Sequence, residues 1–122
     1  MKKILLAFVL ILGIVFIGSA TIGAKMNKEI SQVSAKHILV DTKEEAIDIK
    51  SKIDSNTITF EDAAKQFSKC PSGQKGGDLG YFGRGMMVKP FEDASFEADV
   101  NKVTDPIQTQ FGWHLIKVTD KK

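Results

Sequence analysis

The sequence is short of the residues that most directly announce a chemistry: in 122 positions there are two histidines, one cysteine and one tryptophan. A single cysteine excludes an internal disulfide, and with it a small fold held together by a disulfide framework. Cys70, His37 and His114 lie far apart along the chain with no metal-ligand spacing, so no metal is expected. Charge of one sign is also missing. Lys2 and Lys3 are the only charges before Lys25, and residues 25–122 carry 15 basic and 15 acidic side chains. A neutral domain without a basic stripe lacks the electrostatic footprint of nucleic-acid binding, and that partner class is set aside. There is no phosphate loop, because no glycine is followed at the required spacing by Gly-Lys-Ser/Thr. Gly83-Arg84-Gly85 runs into Met86-Met87-Val88 instead of opening a helix after a strand, so no dinucleotide cofactor is expected. What is there is an ordinary globular composition, 43% hydrophobic and 26% charged, of a length that suits one domain.

The N-terminal segment reads as addressing information. Lys2-Lys3 precedes Ile4 to Ile17, apolar apart from Gly13, and then a run of small residues to Ala24, the layout of a secretory signal peptide cut after Ala20 or Ala24. Uncleaved, residues 4–24 are uncharged and long enough to cross a hydrocarbon core of ~30 Å as an anchor helix. Both readings place the domain outside the cytoplasm, secreted in one case and membrane-anchored in the other. No cysteine near the leader is available for lipid attachment. Residues 25–34 are polar without sustained periodicity and read as a linker.

Residues 35–122 are compactly punctuated. His37-Ile38-Leu39-Val40 is a β-type run, and Thr42-Lys43-Glu44-Glu45 is a capping-box pattern that starts a helix reaching about Asp54, with Ala46, Ile49 and Ile53 on one stripe. Thr59-Phe60-Glu61-Asp62 starts a second helix, with Phe60, Ala63, Ala64 and Phe67 on one face, which must stop before Pro71. Residues 72–85 hold six glycines and read as loop, short strand, loop. Lys89-Pro90-Phe91 begins a short third helix with proline in its first turn. A turn through Asp105-Pro106 to Gly112 leads to a last strand over 113–119. The order β, α, α, β, α, β, β predicts an α+β domain with a small sheet covered by helices.

Each histidine opens a strand of similar pattern, His37-Ile-Leu-Val and His114-Leu-Ile-Lys-Val. If the first and last strands are neighbours, alternation lets the two imidazoles meet on one face; if not, they are two separate core histidines satisfied by backbone. Cys70, at the end of the second helix, is either a sheltered small hydrophobe or a nucleophile needing a nearby base. The negative end of a helix would raise its pKa and so opposes the second reading. Met86, Met87, Phe91 and Phe96 are either core or the lining of an apolar groove, with Phe96 read as core.

Three separated motifs then stand in a recognisable order: Ser68-Lys69-Cys70-Pro71-Ser72-Gly73 with Gly76-Gly77-Asp78-Leu79-Gly80-Tyr81-Phe82; Gly85-Met86-Met87-Val88-Lys89-Pro90-Phe91-Glu92; and Thr109-Gln110-Phe111-Gly112-Trp113-His114-Leu115-Ile116. With Lys36-His37-Ile38-Leu39-Val40 ahead of them, residues 35–118 closely resemble the parvulin family of peptidyl-prolyl cis/trans isomerases. The resemblance implies a four-stranded antiparallel sheet surrounded by helices, its first and last strands adjacent at the centre. It implies a proline slot formed by Leu79, Met87 and Phe91, and a catalytic group of His37, His114, Cys70 and Thr109. It implies partners that are unfolded or partly folded polypeptides with Xaa-Pro bonds, and no cofactor; a monomer is expected. A non-catalytic chaperone using the same groove is the alternative. Relatives that require phosphoserine or phosphothreonine before proline carry a basic cluster in a long loop after the first strand. Here Val40 leads into the short, acidic Asp41-Thr42-Lys43-Glu44-Glu45, and Phe111 and Val88 replace polar residues, so phosphate-independent activity is expected.

Overall fold

The computed structural model describes residues 29–122, so the leader over residues 1–24 and residues 25–28 of the segment read as a linker lie outside the described residues. Four strands, β1 (Gln32–Val40), β2 (Asp78–Gly83), β3 (Ile107–Thr109) and β4 (Gly112–Lys121), form one antiparallel sheet in the order β2-β1-β4-β3. Helices α1 (Lys43–Asp54) and α2 (Phe60–Phe67) follow β1, a 3-10 helix (Pro71–Lys75) precedes β2, and α3 (Lys89–Glu97) follows it. Among the described residues no helix is long and apolar enough to cross a membrane.

The pleat divides β1 and β4 between two cores. Ile38, Val40 and Leu115 point to one face and pack against Ala46 and Ile49 of α1 and Phe60, Ala63 and Ala64 of α2. Val33, Ala35, Ile116 and Val118 point to the other, against Phe82 of β2 and Phe91 and Phe96 of α3. Fully burying a side chain of this size is worth about 1.5–3 kcal/mol, so a one-residue slip between the central strands, which would exchange the two faces, is strongly disfavoured. The register sets His37 opposite Ile116 and Leu39 opposite His114, so both histidines face α3.

The helix starts expected from sequence are present. Thr42 and Glu45 form a reciprocal capping box on α1, and the Thr59 side chain accepts from the Asp62 N–H at the start of α2. Three boundaries differ from the sequence reading. Gln32, Val33 and Ser34 belong to β1, where they pair with Gly83, Phe82 and Tyr81; Val33 is fully buried, and one apolar residue among polar ones gave no period to recognise. His37 therefore lies in the middle of its strand. Residues 71–75, read as loop from their glycines, form the 3-10 helix, with Pro71 at its first position and Gly76 in the left-handed conformation at its end. Finally, α2 stops at Phe67 and Cys70 caps the start of the 3-10 helix, so the thiol does not sit on the end of α2 as expected.

Gly77 couples this region to the site. It has φ +86°, and a Cβ there would fall 2.4 Å from the His37 carbonyl oxygen. Its own carbonyl accepts the His37 N–H at 3.0 Å, a close backbone approach that only glycine permits.

Candidate active site

Adjacency of β1 and β4 brings the two histidines together on the α3 side, each about 5% exposed or less. Their Nδ1 atoms are 3.1 Å apart. The Phe91 ring stands edge-on against both, its centroid 5.4 Å from that of His37 and 5.1 Å from that of His114. Burial lowers the pKa of His37 from 6.5 to about 4, with a further contribution from His114. Burial alone lowers His114 to about 4. Both rings are therefore neutral at pH 7, and each has one nitrogen that donates and one that accepts.

That constraint orients the whole chain of contacts. The Phe111 N–H can only donate, and it does so to Thr109 Oγ1 at 3.1 Å. Thr109 Oγ1 lies 2.7 Å from His114 Nε2; its hydroxyl hydrogen donates there, so His114 carries its proton on Nδ1. His114 Nδ1–H then donates to His37 Nδ1, which leaves the His37 proton on Nε2, 3.1 Å from Ser72 Oγ. Ser72 in turn donates to Cys70 Sγ at 3.3 Å. In this direction every buried polar atom of the chain is satisfied with both imidazoles neutral. The Thr109 hydroxyl would have no acceptor in the reverse one.

The site opens into a cleft of about 530 Å³ lined by His37, Leu39, Cys70, Leu79, Met87, Val88, Phe91 and His114, with Met86, Phe111 and Lys69 at its mouth. Met86 and Phe111 are 67% and 61% exposed, far more than core residues of this size. Lys69 is paired with Asp41 at 3.2 Å. The lining is apolar apart from a few convergent polar groups, the usual make-up of a small-ligand or peptide-side-chain pocket.

The PPIC-type PPIase domain family matches residues 21–122, most of the chain. The chain belongs to that family. Foldase protein PrsA of Geobacillus sp. (strain WCH70) is 49% identical over 92 residues, which are 75% of this chain and 33% of that protein. A 1.70 Å crystal structure of the peptidylprolyl isomerase PrsA from Bacillus anthracis is 44% identical, covering 76% of this chain and 43% of that one, with a TM-score of 0.74. NmPin, the parvulin of Nitrosopumilus maritimus, is 42% identical with a TM-score of 0.69 and is covered over 100% of its length, against 76% of this chain. The chain thus spans about a third of the length of the curated PrsA relatives it matches.

Within this PPIC-type domain, six of the seven residues singled out from sequence line the same cleft, and the seventh, Thr109, is bonded to one of them, His114. His37, His114 and Thr109 are joined directly by hydrogen bonds, and Leu79, Met87 and Phe91 line the slot. Cys70 lines it too, but reaches His37 only through Ser72. Ser72 is the contact the sequence reading missed. It falls in the glycine-containing segment that the sequence reads as loop, and its only sequence signal is its place two residues after Cys70 at a proline-initiated turn. Phe96 is core, 8% exposed, as expected.

Proposed function

We propose that this chain is a phosphate-independent peptidyl-prolyl cis/trans isomerase that acts on proline-containing segments of exported, unfolded or folding polypeptides. The observation that carries the reading is an apolar slot whose wall, Phe91, stacks edge-on against a buried, neutral histidine pair. Rotation about a prolyl bond breaks amide resonance, with a barrier of ~20 kcal/mol, and involves no covalent bond to the enzyme. Catalysis requires only that the twisted amide be held better than the planar one. Leu79, Met87 and Phe91 take the proline ring, and the apolar walls strip water from the carbonyl as the bond twists. The histidine pair, with pKa values near 4, is a poor proton donor at neutral pH; its part is to orient Thr109, Ser72 and Cys70 and to set the local field. Cys70 Sγ accepts from Ser72 and takes no nucleophilic role.

The mouth supports tolerance of many residues before proline. Only two residues, Asp41 and Thr42, separate β1 from α1, leaving no room for a basic loop, and Lys69 at the mouth is already paired with Asp41. A dianionic phosphate would meet the exposed apolar Phe111 and Met86. The Lys2-Lys3 and apolar pattern of residues 4–24 supports work outside the cytoplasm, with membrane attachment if the leader is kept.

The specificity is tested by comparing one peptide with serine and with phosphoserine before proline. Equal or better turnover of the unphosphorylated form is expected. A strong preference for the phosphorylated form would overturn the phosphate-independent reading.

A further inference from the structure

Glu92 is a buried carboxylate, 6% exposed, that lies outside the histidine chain. A buried carboxylate is costly unless both oxygens are engaged, and here both are. Oε1 accepts the Gly85 N–H at 2.7 Å and Oε2 accepts from Arg84 Nη1 at 3.0 Å. The Arg84 guanidinium carbon lies over the Phe96 ring of α3, 4.1 Å from its centroid. Both of Glu92's partners belong to residues 84–88, the loop between β2 and α3. That loop carries Met86, Met87 and Val88 to the cleft, while Glu92 is adjacent on α3 to Phe91. The loop is also held at its α3 end, where the Val88 carbonyl accepts the Glu92 N–H at 3.0 Å and Met87 and Val88 pack on the core that includes Phe91. At its β2 end the further contacts are weak, Arg84 to Asp93 at 4.0 Å and a Gly83 N–H on the Met86 sulfur at 3.2 Å.

We propose that Glu92 is a positioning residue: by tying Gly85 and Arg84 to α3 it sets the separation of Met87 from Phe91, and so the width of the proline slot. The inference rests on the isomerase reading for its consequence, and the geometry supplies the cause. The carboxylate touches no reacting atom. It acts by holding a methionine wall, made of flexible side chains on a glycine-containing loop, at the distance that a pyrrolidine ring fills. Charge matters because charge-assisted bonds are about twice as strong as neutral ones, and neutralising Glu92 leaves Gly85 and Arg84 with a weaker acceptor.

The test compares Glu92→Gln with the parent in the full 122-residue chain. Cis/trans exchange of an Xaa-Pro peptide is measured at several concentrations, together with methyl ¹³C shifts of Met86 and Met87. The expected result is a KM raised about five- to tenfold with kcat within about twofold, because a loosened slot weakens substrate and twisted amide alike. The Met86 and Met87 methyl signals should move or broaden while the histidine ring signals stay in place. An unchanged KM, or a kcat that falls with unaltered methionine signals, would overturn the proposal. Should Glu92→Gln fail to fold, Arg84→Gln removes one of the two bonds from its exposed side, leaves the Gly85 N–H bond in place, and must reproduce the KM-against-kcat split in the same direction at a smaller size. If the parent itself does not accelerate exchange, the isomerase reading fails on its own, and the Glu92 tie is then judged by peptide Kd and the methionine signals.

Discussion

Burial keeps both imidazoles of the nitrogen-to-nitrogen pair neutral well below the pH at which a free histidine takes up its proton, and this gives the site a definite pH signature. Both folded pKa values lie near 4, below the ordinary 6.5. Between pH 6.5 and 4 the unfolded chain therefore binds more protons than the folded one, so stability is full above pH 6.5 and falls as pH drops through that window. The loss is bounded by roughly 3 kcal/mol for each histidine once pH has fallen below 4. Denaturant unfolding followed at pH 7, 5.5 and 4.5 checks it. The rate of prolyl exchange should stay flat from pH 8 down to 6, whereas an inflection near 6.5 would mean that a histidine titrates normally and that the neutral pair is wrong.

The elements explain why those residues meet. Gly77, in a left-handed conformation, backs directly onto the middle of β1, and Gly77→Ala sets a Cβ 2.4 Å from the His37 carbonyl oxygen. The strained backbone and the forced displacement should cost roughly 2–4 kcal/mol and disturb the His37 ring signals, read by denaturation and NMR. Wild-type stability in that variant would mean that the glycine contact does not hold the strand. Helices α1 and α2 were legible from sequence because their starts carry caps, Thr42 with Glu45 and Thr59, and their buried residues recur at helical spacing. The 3-10 helix was not, since glycine-rich segments suit loops and short 3-10 turns equally and only tertiary contact decides between them. The paired strand over 32–34 was missed for another reason: its polar residues pair through backbone, which leaves no mark on side-chain pattern. The alternation of β1 and β4 placed His37 and His114 on one face, but their meeting required knowing that the strands are neighbours. That information came from the family resemblance. Ser72 illustrates the limit, since a serine at a turn carries no sign that its hydroxyl will close a hydrogen-bond chain.

For the molecule as a whole, sheet and helices serve to hold an apolar cleft against a buried polar chain. The two cores on opposite faces of the sheet fix the register of β1 and β4, the register fixes the histidines, and Phe91 of α3 closes over them. This arrangement belongs to a PPIC-type domain, while the curated PrsA relatives are about three times as long as the segment they share with this chain. The family match over residues 21–122 contains the entire candidate site. The account therefore requires the 122-residue chain to isomerise prolyl bonds by itself. Exchange spectroscopy on a short unphosphorylated Xaa-Pro peptide, with and without the protein, tests this most directly. The account predicts cis/trans exchange accelerated far beyond the uncatalysed interconversion of tens to hundreds of seconds. Binding of the peptide by the folded protein with no change in exchange would contradict it and leave a peptide-binding module in place of an enzyme.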